Sequence, residues 1–341
     1  MVTKTTKPIA SISLDLDNQW SYMKTHGDPG WDAFPSYLDI VIPRVLSFLE
    51  ERNLKITFFI VGQDAILEKN HPALRSIASS GHEIGNHSFH HEPWLHIYSE
   101  EQIDREIASA EEHIEWVTGQ NPIGFRGPGY SISRAVLKVL SSRNYQYDAS
   151  TLPTFTGPLS RAYYFMTSEL SLEEKRQRAK LFGTIKDGFR PVRPYRWTLD
   201  DEREQQGLIE IPVTTMPILK IPFHVSYIHY LSTISTTFSL LYFKMGLMLC
   251  KLTKTPPSLL LHPLDFLGFE DITNLSFFPA MRLSRQKKLN TVSGILGLFT
   301  KWYDVLTMEE FAHRYKETTR TQTIDSKQDF LAVKKVLAES K

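Results

Sequence analysis

The stretch GHEIGNHSFHH, residues 81–91, holds four of the chain's twelve histidines. Its first part, HEIGNHS, reads as a strand that follows a short helix around Ala73 to Ser79, stopped by Gly81 in the usual C-terminal role of glycine. His87, His90 and His91 then fall at the strand's exit. Upstream, KITFFIVG (55–62) is a second strand closed by Gly62. Before it, Leu38, Val41, Ile42, Val45, Leu46 and Leu49 recur at helical spacing, with Pro43 predicting a kink or a restart inside that helix. Earlier still, IASISLDLD (Ile9 to Asp17) alternates apolar with small or polar residues and ends in two carboxylates, as a strand. Downstream, Ser99 and Gln102 form a capping box for a helix that stops at Gly119. IGFRGPG, YQYDAST, GLIEIPVTT and PSLLLHPLDFL supply four more strands, with SRAVLKVLSSRN a helix between the first two. Strand and helix therefore alternate, which predicts a parallel sheet with helices outside, either doubly wound or closed as a barrel.

The 341 residues suffice for one large α/β domain or two modest ones. Hydrophobic content of 41% and charged content of 23% are those of a folded soluble protein. A net charge of +1 argues against a general nucleic-acid binder, which would carry a basic excess. A single cysteine, Cys250, excludes an internal disulfide framework and any Cys-rich zinc site. MVTKTTKPIA lacks the apolar run of a signal peptide, so the expectation is a cytoplasmic protein.

In parallel α/β architectures reactive groups gather where strands end. Here the strand ends deliver Asp15 and Asp17, then His87, His90 and His91, then Arg126, Asp148 and His262. Two carboxylates side by side repel unless a cation or an arginine separates them. His87 and His91 offer imidazoles to a metal, and one carboxylate would complete a three-ligand site with an open position for water. The other carboxylate would then stand beside a water of lowered pKa. Taken singly, each group has a bland reading as a turn cap or a surface residue. Their joint placement favours a site.

These residues resemble the motifs of the polysaccharide deacetylase family, carbohydrate esterase family 4. His87-Ser88-Phe89-His90-His91 is similar to its His-Ser/Thr-x-x-His motif, Arg126-Gly127-Pro128 to its Arg-x-Pro motif, and Leu259-Leu260-Leu261-His262 to its Leu-x-x-His motif. The resemblance spans residues 9–267 and implies a distorted (β/α) barrel of about seven strands. It assigns His87 and His91 as metal ligands, leaving His90 outside. The family's usual adjacent aspartates are replaced by Asp15-Leu16-Asp17, and a minority pattern implies Asp15 as base and Asp17 as ligand. The family's Asp-x-x-x-Trp motif is missing, with Asp148 and Asp265 as the two nearby carboxylates.

The resemblance implies amide hydrolysis on a divalent cation, zinc first, with cobalt, nickel, iron and manganese as alternatives. Asp15, held by Arg126, would be the base and His262 the acid. Pro128 and a backbone N–H near Tyr130 would flank the oxyanion. Trp20, Trp31 and Trp94 follow the motif loops as candidates for stacking on a sugar, and Asp148 joins the substrate group. The implied substrate is an N-acetylated glycan or glycan precursor. A deformylase or other C–N amide hydrolase is one alternative, and a catalytically silent glycan-binding relative is the other.

The expected catalytic domain is 1–318, with a basic and apolar insertion at 160–250 and a polar arm at 319–341. Lys175, Arg176, Arg178, Lys180, Lys186, Arg190, Arg193 and Arg196 crowd the first part of the insertion. Residues 221–243 contain no Asp, Glu, Lys or Arg but are rich in Ser, Thr and Tyr, too polar for a membrane span. This pairing reads first as a buried helix beside a solvated charged loop, with peripheral contact with a membrane or a lipid-linked substrate as the alternative.

Overall fold

The computed structural model describes residues 7–157, 185–199, 207–318, 322–327 and 329–330. Its strands are β1 (Ile9–Asp15), β2 (Thr57–Ile60), β3 (Glu83–Asn86), β4 (Gly124–Phe125), β5 (Tyr147–Asp148), β6 (Tyr195–Thr198), β7 (Ile209–Glu210), β8 (Ser258–Leu261), β9 (Asp304–Leu306) and β10 (Gln322–Asp325). They form one sheet in the order β10-β6-β7-β5-β4-β3-β2-β1-β8, with β9 beside the start of β1. All pairings are parallel except β6 with β7. Among the described residues no hydrogen bonds join the two edges, so the barrel is open. The seven strands read in the sequence are all present. The three that were not read are short and lie at a sheet edge or in the insertion.

β1 is buried on both faces, as a central parallel strand is. Ala10, Ile12, Leu14 and Leu16 enter the main apolar core, while Ser11, Ser13 and Asp15 alternate to the opposite side. That core is closed by the helices Leu38–Glu50, His71–Ser79 and Arg285–Trp302. Pro43 sits inside a continuous helix Leu38–Glu50 rather than breaking it into two. The capping box at Ser99 and the left-handed Gly119 bound the helix Glu100–Thr118 as the sequence indicates.

Two parts of the second half, the arm and the basic insertion, are described only in part. Within the arm at 319–341, Gln322–Asp325 pairs with β6, so this part of it is tied to the sheet. Lys175, Arg176, Arg178 and Lys180 lie outside the described residues. Among the other basic residues, Arg190 is buried and paired with Asp187 and Asp329, and the guanidiniums of Arg193 and Arg196 donate to the carbonyls of Thr253 and Gly207. Arg190 serves packing, because a buried guanidinium must find acceptors.

Candidate active site

The loop leaving β3 is pinned from three sides. Asn86 donates from its amide to the Ile107 carbonyl and the Tyr145 hydroxyl, and its oxygen accepts the Ser88 N–H. Gly62 and Gln63 donate to the carbonyls of Ser88 and Phe89, and Glu106 accepts the N–H groups of Phe89 and His90. Ser88 and His91 are thereby held at φ of 60° and 53°, a sparsely populated region for residues with a side chain. The result turns His87 and His91 inward and leaves His90 outside, its Nδ1 2.5 Å from Glu106.

Asp17, His87 and His91 are all buried, and their ligand atoms lie within 4.8 Å of one another. The Nε2 atoms of His91 and His87 stand 2.9 and 3.2 Å from Asp17 Oδ1. His87 Nδ1 lies 2.6 Å from the Arg126 carbonyl, which can only accept, so Nδ1 carries a proton and Nε2 is the nitrogen turned toward Asp17. Burial raises the Asp17 carboxyl, but the charge and hydrogen bonds of the two imidazoles win and hold it well below the usual range. Two imidazoles and one carboxylate, converging with a carbonyl behind one ring, are a donor set that fits a divalent cation. The Tyr37 hydroxyl donates to the Asp17 carbonyl at 2.5 Å and fixes the backbone there.

Asp15 sits apart from that set. Arg126, fully buried, donates from Nη1 to Asp15 Oδ1 at 3.0 Å. The guanidinium lies 4.7 Å above the Phe59 ring. A Cβ on Gly85 would come within 2.5 Å of that ring, so the glycine of GHEIGNHS makes room for the Phe59 platform beneath Arg126. Arg126 thus acts twice, through its carbonyl on His87 and through its side chain on Asp15.

His262 follows β8, next to β1 in the sheet. Its N–H donates to Asp265 Oδ2 at 2.8 Å. Ser226, on the helix Val225–Ser232, donates its hydroxyl to Asp265 Oδ1 at 2.9 Å and stands 3.0 Å from His262 Nδ1. With its proton committed to Asp265, the Ser226 oxygen accepts from Nδ1–H, leaving Nε2 as the ring nitrogen of His262 that Ser226 does not engage. Burial pushes the Asp265 carboxyl up, opposed by the charge and N–H of His262 and by Ser226. Burial, with His262 adding to it, drops His224 to about 3, so its neighbouring ring stays neutral.

Several expected residues stand elsewhere. Trp20 is 1% exposed, with Nε1 bonded to Asp64, so it anchors the loop after β1 and offers no face to a sugar. Asp148 is fully buried beside Glu210. Burial raises both carboxyls, and Asp148 takes the Ser150 hydroxyl while Ser150 accepts the Gly127 N–H. It therefore braces the Arg126–Gly127 loop from behind instead of contacting substrate. Pro128 is buried in the turn, and the N–H groups of Tyr130 and Ser131 are spent on the carbonyls of Gly127 and Pro128. The Tyr130 N–H is thus not the free oxyanion donor expected there. Burial, then Asp15, raises the Tyr130 hydroxyl. Trp94 is half-buried and bonded to Tyr98, and Trp31 is half-buried beside Phe34. Sequence reasoning missed Ser226 and Tyr22. The Tyr22 hydroxyl is raised by burial and then by Asp17, with Asp265 also contributing, so it stands between the two corners of the site.

Residues 30–147 match the family described as polysaccharide deacetylase. Over that segment, about a third of the chain, the sequence is similar to the polysaccharide deacetylase family. The matched segment contains His87, His91 and Arg126, while Asp15, Asp17 and His262 flank it. Among curated relatives of this family, a peptidoglycan-N-acetylglucosamine deacetylase of Bacillus cereus is 29% identical over 43% of this chain and 64% of its own. A peptidoglycan-N-acetylmuramic acid deacetylase of Bacillus subtilis is 37% identical over 30% of this chain and 39% of its own. The chain thus spans less than two thirds of these relatives. A crystal structure of a candidate polysaccharide deacetylase from Mycobacterium smegmatis superposes with a TM-score of 0.61 at 18% identity, covering 95% of this chain and 96% of that one, and shares the fold.

Proposed function

We infer that this chain is a metal-dependent hydrolase that removes an N-acetyl group from a glycan. The observation that carries the reading is the three-ligand set Asp17, His87 and His91 standing beside a separate Asp15–Arg126 pair. The names of the Bacillus relatives support a glycan amide as the substrate class. A divalent ion held by Asp17, His87 and His91, zinc by the character of its donors, would supply Lewis acidity to the amide carbonyl and the attacking water.

The chain's own residues do the rest. Asp15, oriented by Arg126, takes the proton of the attacking water. His262 delivers a proton from Nε2 to the departing amine, which is too basic to leave without one. Ser226 holds the ring by its other nitrogen and is itself held by Asp265, in place of the family's missing aspartate motif. Release of acetate from N-acetylated chitooligosaccharide and from peptidoglycan fragments, before and after chelation, tests this directly. Formate release from N-formyl sugars at a higher kcat/KM would move the reading to a deformylase. No turnover of either by metal-replete protein would overturn it.

A further inference from the structure

The helix Thr236–Leu252 has two apolar faces. Ser239, Phe243, Gly246, Leu247 and Cys250 turn into the protein. Phe238, Leu241, Met245, Met248 and Leu252, spaced by alternating threes and fours, turn outward and are 45% to 76% exposed. At 100° per residue they fall within an arc of about 80°. Ile234, at the turn before the helix, is 79% exposed and extends the strip. Contiguous apolar surface of this kind marks a contact site rather than ordinary scatter.

Charge identifies the occupant. From Ile211 to Leu264 the sequence contains no Asp or Glu, and the exposed charged residues on and just beyond the helix are Lys244, Lys251 and Lys254. The helix packed against it, Arg285–Trp302, is also free of carboxylates and ends in the exposed Lys301. The strip is one helix wide, roughly 25 Å by 10 Å. That is well below the roughly 800 Å² per partner of a stable protein interface. A narrow apolar stripe flanked by lysines is the pattern of a helix lying in the headgroup region of an anionic bilayer. Among the described residues no helix is long and apolar enough to cross one.

The strip is continuous with the site. The helix Val225–Ser232 packs on Thr236–Leu252 through Tyr227 and Tyr242, and the same short helix carries Ser226 to His262. We propose that Thr236–Leu252 seats on an anionic lipid surface, and that the glycan is presented to the cleft from a lipid carrier in that surface. The second half of this proposal rests on the deacetylase reading; the first half does not.

The full chain is sedimented with vesicles of phosphatidylcholine alone and of phosphatidylcholine with phosphatidylglycerol, without substrate. Binding should rise at least tenfold with phosphatidylglycerol and fall as salt screens the lysines. The double variant Leu241→Glu, Met248→Glu should lose that binding while keeping its melting temperature and its hydrolysis of a soluble oligosaccharide. Lys244→Glu with Lys251→Glu should remove the lipid-charge dependence. Hydrolysis of a lipid-linked N-acetyl sugar in the anionic vesicles should exceed that of the soluble form, and the Leu241/Met248 variant should lose only the excess. No wild-type binding, undiminished binding by that variant, or a solution dimer that the variant dissociates would overturn the docking proposal. Vesicle binding without deacetylation of any glycan would leave the docking intact and sink the deacetylase reading instead.

Discussion

The candidate site has two corners built by different means. At the metal corner, Asp17, His87 and His91 come from the loops after β1 and β3, with only β2 between those strands. At the acid corner, His262 depends on Ser226, which arrives on a helix from the insertion. The first corner is held by backbone bonds to its own loop and a carbonyl on its imidazole. The second is held by one hydroxyl shared between an imidazole and a carboxylate. A site made of neighbouring strand ends is robust and locally encoded; one made across an insertion hangs on single contacts.

That contrast can be broken at its strongest point first. Asp17→Ala or His91→Ala should abolish metal retention and with it turnover, an effect beyond the 10–100-fold typical of outer partners. Chelation of the wild type should match it, and His90→Ala should leave the metal content unchanged. Metal analysis of the purified variants is the check. Retention of full metal by His91→Ala with loss in His90→Ala would dissolve the metal corner as described.

Asp15→Asn should keep the metal and lose roughly 10²–10⁴-fold in kcat, the range of a general base. Arg126→Ala should resemble a weaker Asp15 variant, with added disorder at His87 if its carbonyl shifts. Loss of metal in Asp15→Asn but not in Asp17→Ala would reverse the two roles.

Ser226→Ala sharpens the acid corner. Amide hydrolysis should fall about 10–100-fold, on the scale of a lost positioning partner. Hydrolysis of an aryl acetate, whose phenolate leaves without a proton, should be nearly unchanged, and Ser226→Thr should recover part of the amide rate. Equal loss on both substrates would mean that Ser226 merely supports the fold.

The smallest effect on turnover is expected at Asp64, which braces the metal corner from behind. Its Oδ1 accepts from Asn18, Trp20 and Asn70, yet burial outweighs those bonds and raises its carboxyl to about 7. A carboxyl raised in the folded state binds more protons folded than unfolded. Its stability contribution is therefore greatest below about pH 4 and is lost as pH rises to about 7, by at most about 4 kcal/mol. Urea midpoints of wild type and Asp64→Asn across that window should converge at low pH and separate in favour of the variant above 7. Parallel pH curves would refute it.

The sequence by itself determined the alternation of strand and helix, the seven strands that carry or flank the motifs, and the metal corner. These depend on spacing within a few residues: Asp15 and Asp17 at the end of one strand, His87 and His91 around one pinned loop, glycine where Phe59 needs room. Only the tertiary structure decided that Trp20 and Asp148 face inward, since an aromatic or a carboxylate after a strand reads the same whether it meets sugar or core. It alone brought Ser226 to His262 and Asp265, because hydrogen bonding across that distance in the chain leaves no periodic trace. The outward stripe of Thr236–Leu252 belongs with these. Its helix is apolar on both sides, and periodicity cannot say which side faces the core when hydrophobicity does not differ between them.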